Sequence, residues 1–259
     1  MMAGTDSPLK TREDHPPRPV ESTVPLSVHV ARNRSELSAA YELVYRQYVA
    51  KGYIAPRPGG IVYSPSFGLP TTRTVVASLD DVHVVGTWTM VGDNPHGLHL
   101  ETTFPEEVER LRQAGSHLAE VTCLCVEPEI SISSREVLFE LTKFAVHHSF
   151  LRGYDDVLLA VHPRHYPFYW RTLRATQISP CRPYAAVSGN PAVCCRINRA
   201  TMKRTMCSSM REFYFDNVPP PSYYDGPPIS QPDHEEFCRR LALWQHKSDN
   251  AARGLWPAA

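Results

Sequence analysis

The stretch Leu118-Ala119-Glu120-Val121-Thr122-Cys123-Leu124-Cys125-Val126, then Ser133-Ser134-Arg135-Glu136-Val137, then Val157-Leu158-Leu159-Ala160-Val161, decides how this chain folds. The first run is apolar enough for a buried strand and carries a single charge, Glu120. Ser133 with Glu136 three residues on predicts a capped helix start. Val137, Leu138, Leu141, Phe144, Ala145 and Leu151 then recur along one helical face until Gly153 stops it. Val157 to Val161 is an unbroken apolar run, as a strand covered on both faces requires. Pro163 suits the first position of a further helix reaching about Leu173.

Working outward, Leu26-Ser27-Val28-His29-Val30 alternates in the manner of a half-buried strand. Asn33 with Glu36 opens a helix whose apolar face carries Leu37, Tyr41, Val44 and Tyr48. Residues 56–70 hold Pro56, Pro58, Gly59, Gly60, Pro65, Gly68 and Pro70, so a long mobile loop able to cover a site is expected there. Residues 73–79 and 82–91 are rich in Val and Thr and meet at Asp80-Asp81, which predicts a hairpin. Pro105 and Gly115 bracket a short helix, and strands are expected over 176–181 and 192–197. The order βαββαβαβαββ defines an α/β fold with a mixed central sheet flanked by helices. Beyond Ala200 we expect a helix to about Phe213, a proline-rich linker and a short amphipathic helix over 235–245. The chain thus divides into a disordered polar leader (1–25), an α/β domain (26–199) and a C-terminal extension (200–259).

Composition narrows the function. Hydrophobic residues make up 42% and charged residues 21%, which supports a packed core. Lys plus Arg and Asp plus Glu both number 27, so no net field draws phosphate backbones or anionic lipid, and nucleic acid is not expected as a partner. The seven cysteines lack paired Cys-x-x-Cys spacing and read as reduced thiols. With no signal-like leader and no apolar run of about 18 residues, no transmembrane segment is expected, and the expected location is cytoplasmic. His147 and His148 are adjacent on a helix and cannot share one face, so no metal is expected.

Four motifs then fall in order: Leu43-Val44-Tyr45-Arg46-Gln47-Tyr48-Val49-Ala50-Lys51-Gly52-Tyr53-Ile54; Leu69-Pro70-Thr71-Thr72; Ala119-Glu120-Val121-Thr122-Cys123-Leu124; and Val161-His162-Pro163-Arg164-His165 with Phe168-Tyr169. Together they resemble the N-acyl amino acid synthase family, a bacterial branch of the GNAT superfamily related to the acyl-homoserine lactone synthases. The resemblance covers residues 26–198. It implies a GNAT-like acyltransferase that passes a fatty acyl group from an acyl-phosphopantetheine thioester to an amino acid amine, with no bound cofactor. Acyl carrier protein is the implied donor and partner, with acyl-coenzyme A as the other thioester source. The neighbouring readings are a lactone synthase-like or other small-amine acyltransferase, and an inactive acyl-binding module.

The chain departs from the family twice. Residues 129–135 carry no glycine where coenzyme A enzymes keep a glycine-rich pyrophosphate loop, so a single phosphate at Ser133, Ser134 and Arg135 is expected. Arg174-Ala175-Thr176 stands where relatives carry Gly-Phe, which predicts a distorted turn.

Aminolysis of a thioester needs a base, oxyanion donors and an acid for the leaving thiolate. Glu120 is the candidate base, since a lone charge on an apolar strand is costly unless it is paired or used. The plainer reading pairs it with Arg46 to brace the first helix. The resemblance implies Tyr169 as acid, although aromatic residues on a helix are commonly core. It places Arg46, Thr122, His162, Arg164 and His165 on the substrate side, against roles as a solvated arginine or a helix start. Backbone amides near Leu124, Cys125 and Val126 are the implied thioester donors. Cys123 and Cys125 read as inert buried thiols rather than nucleophiles.

Overall fold

The computed structural model describes residues 25–252, with side chains up to residue 242. The expected leader and its lack of a signal sequence lie outside the described residues.

The chain enters β1 (Leu26–Val30) and α1 (Arg34–Ala50). Asn33 caps α1 as predicted, its side chain accepting from the Glu36 amide at 3.0 Å. β2 (Arg73–Leu79) and β3 (His83–Gly92) form the expected hairpin. Asp80 and Asp81 both take φ 54°, the turn geometry whose twist matches that of the strands. α2 (Pro105–Gln113), β4 (Leu118–Val126), α3 (Ser134–Leu151), β5 (Asp156–Val161) and α4 (Tyr166–Leu173) follow, then β6 (Thr176–Gln177), β7 (Arg182–Tyr184) and β8 (Asn190–Asn198). The sheet runs β1-β2-β3-β4-β5-β8-β6, with β7 paired to β8. Among the described residues only β4 and β5 run parallel, so the sheet is mixed, as expected.

Local details differ from the expectation. Ser133 makes no side-chain cap to α3, so the predicted capping box is not formed. Pro163 opens a 3-10 turn, Pro163–His165, and α4 begins only at Tyr166. The strand expected over 176–181 shortens to two residues, because Ser179 turns its hydroxyl to accept from the Cys194 amide at 2.8 Å. Arg174 takes φ 55°, the left-handed conformation that a glycine adopts without cost.

Two cores flank the sheet. On one face α3 packs with α5 (Arg199–Thr205) and α6 (Ser208–Phe215) around Trp88, Val121, Phe139, Leu159, Met202 and Tyr214. On the other, α1 and α2 pack with residues 61–67 and α7 (Gln231–Ala252) around Tyr41, Phe67, Leu118, Cys123 and Phe237. The segment expected to be a mobile lid is therefore built into a core. Ile61, Tyr63 and Phe67 are buried, Tyr63 Oη bonds His234 Nδ1 at 2.6 Å, and Arg240 donates to the Gly59 carbonyl at 2.6 Å. The tail is likewise packed, and its last helix is longer than the 235–245 stretch expected. No helix of the described residues is long and apolar enough to cross a membrane.

Candidate active site

The site begins where β4 and β5 part. Their parallel pairing covers only Leu118, Ala119 and Glu120 of β4, so the edge of β4 beyond Glu120 has no ladder partner on that side. Pairing to β3 shifts in the same place, from Thr89 opposite Thr122 to Thr87 opposite Cys125, and Cys123 takes φ 57°. This bulge kinks β4 and opens the sheet. The result is a cleft open to solvent. Glu120, Thr122, Leu124 and Cys125 line it from β4, His162 and His165 from the turn after β5, and Tyr169 from α4.

Glu120 is 1% exposed, and its Oε2 accepts from the Leu100 amide at 3.2 Å. The Arg46 partner considered from the sequence lies elsewhere: its guanidinium donates to Glu127 at 2.8 Å with 56% of the side chain exposed. His99 stands nearest among basic groups, Nδ1 to Glu120 Oε2 being 3.7 Å. Burial pushes the Tyr169 hydroxyl up, so it stays protonated and available as a proton donor. Burial also pushes the thiols up, Cys123 to about 12 and Cys125 to about 11, so neither supplies thiolate near neutral pH.

Behind the cleft lies a narrow apolar pocket between the sheet and α3. Val121, Leu124, Leu159 and Tyr169 line both spaces, while Trp88, Ala145, Val146 and Leu173 lie deeper. A polar cleft holding a buried carboxylate thus continues into an apolar chamber.

Of the other residues singled out from the sequence, Arg46, Val126, Ser133, Ser134, Arg135 and Arg164 do not line the cleft. Arg164 is exposed and donates from Nε to His165 Nε2 at 3.1 Å. Ser134 donates to the Glu127 carbonyl at 3.3 Å, beside the exposed Ser133 at the start of α3. Lys51, Tyr48, Tyr53, Tyr184 and Asn190 do line the cleft and were not singled out. Lys51 follows α1 directly; no spacing rule marks it, though it sits inside the first motif.

An opened parallel pair, an unpaired strand edge, a buried carboxylate and an apolar pocket meet at one place in the fold. The chain belongs to the N-acyl amino acid synthase FeeM family, whose model matches residues 39–198, more than half of the sequence. The solved structure of FeeM, an N-acyl amino acid synthase from uncultured soil microbes, superposes with a TM-score of 0.62 at 21% identity, covering 72% of this chain and 98% of that one. The acyl-homoserine lactone synthase LasI gives 0.57 at 14% identity, over 77% of this chain and 98% of its own. BjaI, a coenzyme A-dependent acyl-homoserine lactone synthase solved with SAM and isopentyl-CoA, gives 0.56 at 14% identity, over 84% and 100%. At such identities these likenesses concern the fold. No curated protein matches by sequence.

Proposed function

We propose that this N-acyltransferase moves a long acyl chain from the phosphopantetheine thioester of acyl carrier protein to the amino group of an amino acid. The observation that carries the reading is the junction of the two spaces. The chamber of Val121, Leu124, Leu159 and Trp88 suits a fatty chain, and its mouth meets Glu120 in the cleft.

In this reading the acceptor enters as an ammonium ion and Glu120 takes its proton. The freed amine attacks the thioester carbonyl, and amides on the unpaired edge of β4, around Leu124 to Val126, hold the oxyanion. Collapse breaks the carbon–sulfur bond, and Tyr169 gives its proton to the departing sulfur. Lys51 replaces Arg46 and Arg164 as the proposed anchor for the acceptor carboxylate, because it is the one Lys or Arg among the described residues lining the cleft. His162 and His165 border the same space, and Thr122 faces the acceptor beside Glu120. The donor phosphate is assigned to the start of α3 at Ser133, Ser134 and Arg135. The absence of glycine over 129–135 supports a single phosphate, hence a carrier protein rather than coenzyme A.

Mass spectrometry of lipid extracts from cells expressing the protein tests this reading. Fragmentation should release an intact amino acid and a fatty acyl ion. Acyl lactones or acetylated small amines in their place would overturn it, as would a purified protein that binds acyl carrier protein without turnover.

A further inference from the structure

Glu120 is an awkward base on its own, since a carboxylate so deeply buried and held by one backbone amide must still be aimed. The groups facing it are the Leu100 amide, Tyr184, Cys123, Cys194 and His99. Burial pushes the Tyr184 hydroxyl up and both thiols up to about 12, so these three remain neutral acids and bring no positive charge. His99 differs. Its Nε2 lies 2.7 Å from Ser66 Oγ and 3.0 Å from Ser64 Oγ, and its ring meets the Phe67 ring edge-on at 5.5 Å. Assigning the Ser66 hydroxyl as donor to Nε2, with Ser64 and Ser66 bonded to each other at 3.0 Å, leaves the ring proton on Nδ1. That Nδ1 is buried, has no hydrogen-bond partner, and stands 3.7 Å from Glu120 Oε2. An orphaned buried donor is costly, and here it is placed beside the base. Catalytic hydrogen bonds are commonly long in an empty site and tighten when substrate enters.

We infer that His99 is a positioning residue, fixed by Ser64 and Ser66, whose Nδ1–H closes onto Glu120 Oε2 when the acceptor enters and leaves the other carboxylate oxygen to receive the amine proton. The inference rests on the reading of Glu120 as the base. No covalent bond to His99 is made or broken in the reaction; it aims the carboxylate. Ser64 and Ser66 owe their place to the packed segment that Tyr63 ties to His234.

The test follows thiol release from palmitoyl-acyl carrier protein with a mixture of the twenty amino acids for wild type, His99→Leu, His99→Asn, Glu120→Gln and the His99→Leu/Glu120→Gln pair. His99→Leu should lower turnover roughly 10–100-fold, the scale of a misplaced catalytic group. Donor saturation should be unchanged. His99→Asn presents an amide N–H near the position of Nδ1 and should restore most of the rate. On the Glu120→Gln background the loss of His99 should cost nothing further. Folded His99→Leu with wild-type rate, or His99→Asn as slow as His99→Leu, would overturn the inference. If Glu120→Gln itself turns over normally, the base reading fails and this inference with it; an inactive Glu120→Gln beside a normal His99→Leu rejects the inference alone. Should His99→Leu lose its fold, His99→Asn and its pair with Glu120→Gln decide by the same criteria.

Discussion

Glu120 and Cys123 lie three positions apart on β4 and yet face the same side of the sheet. In an unbroken strand such residues point to opposite faces. Here Cys123 and Leu124 together stand against Trp88, and the left-handed Cys123, φ 57°, resets the alternation. The same irregularity coincides with the end of β4–β5 pairing, so the cleft and the exposed strand edge have one structural origin. Cys123→Gly keeps the left-handed backbone and should therefore keep turnover. Cys123→Val, β-branched at positive φ, should cost about 1–3 kcal/mol and reduce the rate by straightening β4. Denaturant unfolding with parallel rate measurement checks both.

In the proposed reaction Tyr169, which lines the cleft, protonates the leaving sulfur. Tyr169→Phe keeps the ring that lines both spaces and removes only the hydroxyl. With an alkyl thioester, turnover should fall about 10²-fold, the low end for loss of a general acid. An aryl thioester, whose thiolate leaves without a proton, should recover most of that loss. Equal deficits with both donors would remove Tyr169 from the chemistry.

Stability should fall on acidification through a group far from the cleft. His148 is 1% exposed, its Nδ1 donates to the Tyr224 carbonyl at 2.7 Å, and burial lowers it to about 4. Its folded value lies below the unfolded one, so the unfolded chain binds more protons between the two. The stabilisation is complete above about pH 6.5 and is lost as pH falls toward 4. Each unit is worth about 1.4 kcal/mol, giving up to roughly 3 kcal/mol over that window. His148→Gln should flatten the dependence of Tm on pH between those limits.

Much of the frame was legible because its signals are local. The Asn33 cap, the Asp80-Asp81 turn and the long apolar runs of β4 and β5 each depend on neighbours within a few residues. β7 was not legible: Pro183 disguises a three-residue strand that exists only because β8 is beside it. Side-chain partners were also out of reach. Burial pushes Asp156 up, yet hydrogen bonds from Arg196, Ser116 and Asn198 at 2.7 to 2.8 Å hold it below the ordinary range, and nothing in the spacing announces them. For the site, the lone charge of Glu120 was a usable signal, whereas His99 and Lys51 reach its surroundings through packing alone.

The tail was read as a linker with a short helix, yet α7 carries Phe237 into the core. Phe237 is fully buried and meets Tyr41 at 5.0 Å and Tyr63 at 5.2 Å between ring centres. Phe237→Ala should cost about 3–5 kcal/mol, the usual range for a buried aromatic. It should also slow turnover, because Tyr63 belongs to the segment that holds Ser64 and Ser66 against His99. A stability change within about 0.5 kcal/mol, the scale of surface substitutions, would show that α7 is dispensable.

The most direct measurement is the turnover of Glu120→Gln with palmitoyl-acyl carrier protein and amino acids, read as N-acyl amino acid formed. Gln keeps the shape and the bond from the Leu100 amide but cannot take a proton. The account predicts a folded protein that forms product at least about 10²-fold more slowly at every pH. A folded Glu120→Gln enzyme forming product at the wild-type rate would contradict it.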